Sequence, residues 1–345
     1  MAYYPKKKFI PMVQAIEAKP KAAPAAKPPT LAIDFGNRNV FITDGKKTHN
    51  LKSVKRPRPA SVMPSKKPRG KITTTYIQSL EAEQNQVWEL GERAGHDPEA
   101  DYTLYKTKPE IARHFLMGLL NFYPKLSEAD LVVIDSFPQR NFQAYYQALH
   151  GNHIWNAPGI ENRQVTIDKV TVVEEGLGPV RRYLTEVGID PNYPLTAVYN
   201  GGCGTFDVAV YDDHGQLIPN TKDNFDKSGA VSLTTIINRV LRDNGVINFS
   251  MQNEQIFNLL ENGYKIRQRG QEPIDVEHLL VAAAKEWLMA QHKRAMARLT
   301  PIQDKLGKIV LTGGLACLFR EIYKDDEWFY VTPEPLTDNI TWLLR

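Results

Sequence analysis

Short apolar runs alternate along the chain with longer stretches whose apolar positions recur every three or four residues, the pattern of an α/β protein. Leu31 to Val40 predicts a strand that runs into Asp34, turns through Gly36-Asn37 and resumes as a second strand over Phe41-Ile42-Thr43. Val87 to Glu92 predicts another strand, reaching a turn at Gly95-His96. Lys108 to Tyr123 spaces Ile111, Phe115, Leu116, Leu119 and Leu120 on one helical face. Leu131 to Asp135 is a continuous apolar run, the signature of a buried parallel strand. Ser136 to Arg140 reads as its exit loop, Phe142 to Leu149 as a helix, and His150 and His153 as loop residues near Gly151. Asp168 to Val173 is a further strand ending on Glu174-Glu175-Gly176, with a helix over Gly178 to Val187.

The second half repeats this logic. Leu195 to Tyr199 and Thr205 to Tyr211 flank a tight turn carrying Gly201, Gly202 and Gly204, a hairpin signal. Asp226 to Asn244 contains a helix with Leu233, Ile236, Ile237, Val240 and Leu241 on one side. Phe249 to Gly263 and Ile274 to Leu299 also read as helical, the second with a close-packing Ala282-Ala283-Ala284 run. Lys308 to Phe319 is a buried strand ending in Gly313-Gly314 before a helix. Two hairpins built alike imply a duplicated architecture.

Charge changes the picture at two places. The 345 residues carry a net +4, but residues 1–30 hold six lysines and one glutamate, and residues 51–71 hold eight Lys/Arg and no acid. The remaining body is acidic, unlike a uniformly basic nucleic-acid-binding domain. Residues 1–29, rich in Pro, Ala and Lys, read as a flexible arm. The Pro- and Lys-rich 51–71 segment reads as a surface loop. No run of about 18 apolar residues is present and the N-terminal stretch lacks an apolar signal-peptide core, so a cytoplasmic protein is expected. Cys203 and Cys317 have no metal-ligand spacing and read as buried or half-buried thiols.

The candidate chemistry follows from the turns. Glycine-rich hairpin tips let a ligand reach backbone N–H groups, and phosphate is the ligand that most often uses them, although such a turn is as often only a turn. Asp34 at a buried strand end can hold a hydrated Mg²⁺ or serve as a turn-forming Asp, while Gly36 and Asn37 offer N–H groups. Glu175, at the end of a strand opening onto a helix, occupies the usual place for chemistry in an open α/β sheet; acids complementing a helix start are the alternative. Gly313-Gly314 permits close approach of an adenine or ribose.

Asn200-Gly-Gly-Cys-Gly-Thr-Phe-Asp207 resembles the second phosphate motif of the actin, heat-shock chaperone and sugar-kinase ATPase superfamily. Asp34-Phe-Gly-Asn37 is similar to its first phosphate motif and Thr312-Gly313-Gly314 to its adenosine motif. Val172-Val-Glu-Glu-Gly176 resembles the junction where ParM-type bacterial actins keep a catalytic Glu, aligning Glu175 with it, and Asp226 to Leu233 resembles a further stretch of that branch. The four motifs stand in the right order over about residues 31–345.

The resemblance implies an α/β fold of the actin-like, two-lobed ATPase type, with duplicated ribonuclease H-like halves and a nucleotide cleft between the lobes. It divides the chain into an arm (1–29), lobe I (30–190), lobe II (191–330) and a C-terminal segment (331–345) returning to lobe I. It implies ATP or ADP with Mg²⁺, GTP being left open. Glu175 and Asp34 take the catalytic roles. Gly36, Asn37, Asn39, Asn200, Gly202, Gly204, Thr205, Asp207, Gly313 and Gly314 hold the nucleotide, and Asp34 and Asn200 reach the metal through water. The function implied is a filament-forming ATPase with slow hydrolysis, serving plasmid or DNA segregation or a bacterial cytoskeleton. Its partners would be itself, head to tail, and an adaptor protein bound to DNA or membrane, with direct nucleic-acid or lipid contact through the basic arm as a weaker expectation. The alternatives are a nucleotide-binding scaffold that has lost hydrolysis and a small-molecule kinase of the same superfamily. Two departures matter: Asn200 stands where the family keeps an Asp, and Phe41 stands where actin and ParM carry a phosphate-contacting Lys, with Arg38 the nearby cation that could compensate.

Overall fold

The computed structural model describes residues 27–66, 73–80, 86–96, 101–102, 107–261, 263–267, 272–323 and 325–345. Most of the basic arm and the 67–71 end of the second basic segment lie outside these residues.

Thr30 opens the first of two sheets. Its strands are β1 (Thr30–Phe35), β2 (Asn39–Thr43), β3 (Thr48–Lys52), β4 (Val54–Pro59), β5 (Thr74–Ser79), β6 (Gln86–Gly91) and β7 (Asp101–Tyr102), then helix α1 (Lys108–Leu120). Strand β8 (Glu128–Asp135), helix α2 (Pro138–Leu149), β9 (Gly151–Ala157), β10 (Ile160–Glu174) and helix α3 (Leu177–Glu186) follow. The second half contains β11 (Leu195–Gly201), β12 (Thr205–Tyr211), β13 (Asp223–Asp226), helices α4 (Ala230–Asp243) and α5 (Asn253–Glu261), and the short β14 (Lys265–Ile266) and β15 (Ile274–Asp275). Helix α6 (Glu277–Leu299), β16 (Leu306–Thr312), α7 (Ala316–Tyr323), β17 (Phe329–Val331) and α8 (Asp338–Thr341) complete it.

Strand order exposes the duplication. The first sheet runs β3-β2-β1-β8-β10 before continuing through β9, β5, β6, β4 and β7, and the second runs β13-β12-β11-β16-β17. In each, an antiparallel three-stranded meander is followed by two strands parallel to its first strand. Both are covered on both faces, so their central strands carry apolar side chains on alternate sides. In β1, Leu31, Ile33 and Phe35 pack with Phe115 and Leu116 of α1, whereas Ala32 packs with Ile134 and Ile340 of α8. In β11, Tyr199 joins the α4 and α6 core around Leu233 and Trp287, whereas Val198 meets Val180 and Tyr183 of α3. Helix α8 thus carries the chain's end back onto β1 and β2.

Three expectations need correction. The part of the 51–71 segment that is described is not a loop: Val54–Pro59 is strand β4, paired antiparallel with β6. Among the described residues, β7 pairs with Val54 and Lys55 and no strand pairs with Pro57 or Pro59 on that side of β4, where a missing N–H breaks no ladder bond. Arg56 and Arg58 of β4 have a buried partner, Glu89, across the strand pair. Glu89 is fully buried, and Arg56 Nε and Tyr76 Oη donate to its carboxylate at 2.5 and 2.6 Å. Second, His153 is no loop residue; it is buried in β9, with its Nε2 donating to the Leu149 carbonyl at 2.7 Å, and His150 caps α2. Third, Cys317 is exposed on α7 rather than buried, while Cys203 is half-buried.

Burial acts to raise the Glu89 pKa, but Tyr76 and Arg56 outweigh it and hold the carboxylate below its ordinary 4.5. A depressed carboxylate stabilises the fold above its unfolded pKa and loses that contribution as pH falls through the folded value. Glu89→Gln is therefore expected to cost about 3 kcal/mol in chemical denaturation at neutral pH. The gap between variant and wild type closes as pH drops below 4.5; a gap independent of pH contradicts the ion-pair assignment.

Candidate functional site

Two hairpin tips and one strand–helix turn meet between the sheets. In the first hairpin, the β1–β2 turn is pinned from outside: Ser53 Oγ donates to the Gly36 carbonyl and Ser53 N to that of Arg38, 2.8 Å. Gly36 is required because a Cβ there would lie 2.5 Å from the Asn39 carbonyl oxygen. In the second hairpin, Gly202 N donates to the Thr205 carbonyl at 3.0 Å. The first N–H groups of α4 are then satisfied by the tip itself, Ala230 and Val231 donating to the carbonyls of Gly202 and Cys203 at 3.0 Å. The hairpins approach closely at one point: a Cβ on Gly204 would stand 3.4 Å from Asn37 Nδ2. At the third turn, Gly313 has φ +83°, and a Cβ would collide with Asn200 Oδ1 and the Gly201 carbonyl.

These turns surround a cavity of about 270 Å³. Asp34, Gly36, Asn37, Asn39, Glu175, Asn200, Gly202, Thr205, Gly313 and Gly314 all line it. The other two candidates do not: Gly204 sits at the hairpin contact, and Asp207 is buried behind it. Another stretch of wall is apolar, formed by Phe257, Leu260, Leu315, Leu318 and Leu336. Arg38 lines the cavity too, stacked over Phe257 at 4.6 Å with Glu254 at 3.7 Å, so it reaches across to α5.

Glu175 follows the last residue of β10 and stands at the centre of the polar network. Asn200 Nδ2 donates to its Oε1 at 2.8 Å, Ser136 Oγ donates to its Oε2, and Lys108 Nζ lies 3.4 Å from Oε2. Burial alone would raise its pKa, yet the Lys108 charge and these hydrogen bonds overcome burial and keep Glu175 ionised. Asp34 and Asp207 behave oppositely. Burial, augmented by the Glu175 charge, raises each to about 7, against an opposing pull from Lys108. Asp207 is nevertheless partnered: Asn224 Nδ2 donates to its Oδ1, and its Oδ2 lies 3.2 Å from Ser136 Oγ.

Three of these groups escaped the sequence reading. Lys108 is the first residue of α1, where a cation opposes the helix dipole, and that misplacement was the available signal. Ser136 carried no signal beyond following a buried strand. Asp135 accepts from Phe137 N, Asn141 Nδ2 and Tyr145 Oη at 2.6, 2.8 and 2.9 Å, securing the start of α2; an acid just before Phe-Pro was its mark.

The residues present fit a hydrated divalent cation. Asp34 Oδ1 is buried without a hydrogen-bond partner, an orphaned acceptor beside the cavity that a metal-bound water would satisfy. Among the described residues no group of three or more His, Cys, Asp or Glu could hold a metal ion.

Two duplicated sheets whose glycine hairpins face each other across a cleft define an actin-like, two-lobed α/β fold. No protein-family model matches the chain, and no curated protein matches its sequence. Solved structures do match. An archaeal actin homolog superposes with a TM-score of 0.72 at 13% identity, covering 91% of this chain and 97% of that one; it is also known in complex with ADP. A ParM of a 15-stranded filament from Clostridium botulinum gives 0.69 at 17% identity, with the same coverage. Bacillus thuringiensis ParM with ATP gives 0.64 at 15%, covering 90% and 96%. The likeness is one of fold: this chain has the actin-like, ParM-type fold. Among the described residues, no helix is long and apolar enough to cross a membrane.

Asn200 is tested by placing there the acid that the motif it resembles carries at this position. Asn200→Asp would put a second carboxylate 2.8 Å from Glu175 Oε1, where two charges cannot both persist unshielded. The variant is expected to lose about 2 kcal/mol without divalent cations and to recover part of it in Mg²⁺. A thermal midpoint equal to wild type in EDTA overturns this account of Asn200.

Proposed function

We propose that the protein is a cytoplasmic, ParM-like actin that binds ATP with Mg²⁺ in this cleft, hydrolyses it slowly and assembles head to tail into filaments. The observation that carries the reading is Glu175: an ionised carboxylate held at the strand-end junction between two facing glycine hairpins. The hairpins offer backbone N–H groups of the kind that bind phosphate oxygens, and the apolar wall suits the flat faces of a base. Asp34 and Asn200 would hold Mg²⁺ through its waters, and the bound ion would neutralise charge on the phosphates. Glu175 orients a water for in-line attack and accepts its proton as the bond to the leaving phosphate breaks. The Thr205 hydroxyl and N–H groups of the hairpin tips other than that of Gly202, which donates to the Thr205 carbonyl, steady the transferred phosphoryl oxygens, while Gly202 leaves room for their approach.

Solved relatives of the same fold include a ParM filament, a ParM with ATP and an actin homolog with ADP, which supports nucleotide-linked assembly here. Head-to-tail contact is heterologous, so it propagates into a filament. Segregation of plasmid or other DNA, or a cytoskeletal role, follows with an adaptor protein that couples the filament to its cargo. A second reading, a nucleotide-binding scaffold without hydrolysis, is favoured by one observation: Asn200 spends its amide on Glu175 and adds no charge for the metal.

Saturating MgATP at 100 times Kd is expected to stabilise the fold by about 2.7 kcal/mol in thermal unfolding. Nucleotide should also produce pelletable polymer visible by negative-stain microscopy, and Glu175→Ala should slow phosphate release about 100-fold. An unmoved thermal midpoint removes nucleotide binding from the reading, and the absence of polymer removes the filament. Equal phosphate release by wild type and Glu175→Ala leaves the scaffold.

A further inference from the structure

Phe41 cannot supply the cation that the phosphate groups need: it lines the cavity, but its uncharged ring, half-buried, packs with Ala32, Ile134 and Ile340 under α8. Two cations line the cavity among the described residues, Arg38 and Lys108. Arg38 is engaged with Glu254 and the Phe257 ring on α5. Lys108 faces the carboxylates.

We infer that Lys108, brought in on α1, is the cleft's phosphate-contacting cation: it pairs with Glu175 when no nucleotide is bound and turns to the γ-phosphate when ATP enters. The inference rests on the nucleotide reading above and names a catalytic residue for it. Three observations separate it from a purely structural ion pair. A lysine as the first residue of a helix opposes the helix dipole, so its position is not explained by helix stability. Its ion pair with Glu175 spans 3.4 Å, longer than the 2.7–2.9 Å of a tight charge-assisted bond, so the ammonium is not locked to its partner. Its side chain keeps 20% of its surface open and lines the cavity, leaving donors for an incoming oxygen. The four carboxylates Glu175, Asp34, Asp135 and Asp207 all reinforce its protonated form against burial, so it presents a full positive charge.

The step balances without any proton from Lys108. The water oxygen bonds to Pγ while the bond from Pγ to the bridging oxygen breaks, its electron pair leaving on ADP. The water proton passes to Glu175, whose Oε2 loses one of its two partners, keeping Ser136, when Lys108 turns away. Lys108 opposes the negative charge on the γ-phosphoryl oxygens throughout.

Wild type, Lys108→Gln and Lys108→Arg should be compared in Mg²⁺ for thermal shifts with ADP and with a non-hydrolysable ATP analogue, and for single-turnover phosphate release. ADP lacks the γ-phosphate, so it should shift all three alike, which also reports that the variants fold. Lys108→Gln should lose the preference for the triphosphate and release phosphate about 100-fold more slowly; Lys108→Arg should restore the triphosphate preference. Lys108→Gln with wild-type preference and rate overturns the assignment. So does a parallel loss of both nucleotide shifts, the result of a structural role. A wild type that neither nucleotide shifts fails at the nucleotide reading itself, a result distinct from a failure of Lys108 alone.

Discussion

The Glu175 carboxylate is the point on which the rest of the structure converges. It directly follows β10 of the first sheet, yet its Oε1 is held by Asn200 of β11 in the second, and its backbone carbonyl accepts from Tyr211 Oη of β12 at 3.3 Å. The next residue, Gly176, donates its N–H to Asn339 Oδ1 at 2.9 Å, bringing the chain's end into the same junction. The Glu175-Gly176 junction therefore ties both sheets and the C-terminal segment together, through the carboxylate to Asn200 and through its backbone to Tyr211 and Asn339. A buried charge is tolerated only where it is paired and hydrogen-bonded, so the geometry around it is narrowly specified.

This constraint explains why the neighbouring acids are distinct in character. With Glu175 ionised by Lys108, Ser136 and Asn200, the nearby Asp34 and Asp207 are pushed up to about 7 by burial and by its charge. Asp207 settles through Ser136 and Asn224, while Asp34 keeps an unpartnered oxygen beside the cavity. The cleft thus stores an unmet demand for positive charge. A neutral Asn at position 200 lessens that demand, and a lysine from a distant helix meets part of it.

Much of this was legible in the order of residues. The buried parallel strand at Leu131, the hairpins at Gly36 and Gly202 and the Gly313-Gly314 turn all follow from local rules of side-chain alternation and glycine geometry. The same rules misread β4, because prolines and basic residues signal a loop unless an open edge and a buried partner are known. Among the described residues Pro57 and Pro59 have a strand partner on the β6 side alone, and Arg56 meets Glu89, 33 residues away. His153 was misplaced for a similar reason, since a strand following Gly151 has no signature until β10 pairs with it.

What the sequence by itself determined was the set of turns: glycines where a Cβ has no room, acids where strands end, and apolar alternation that demands cover on both faces. Those are properties of short segments, set by backbone sterics and burial. Only the tertiary structure decided which charges meet. Lys108 and Glu175 stand 67 residues apart, and Asn200 lies 25 residues beyond Glu175 in another sheet. Electrostatic partnership depends on distance in space and on exclusion of water, neither of which is written in local order, so the cation that replaces Phe41 became visible only when α1 was folded against the cleft.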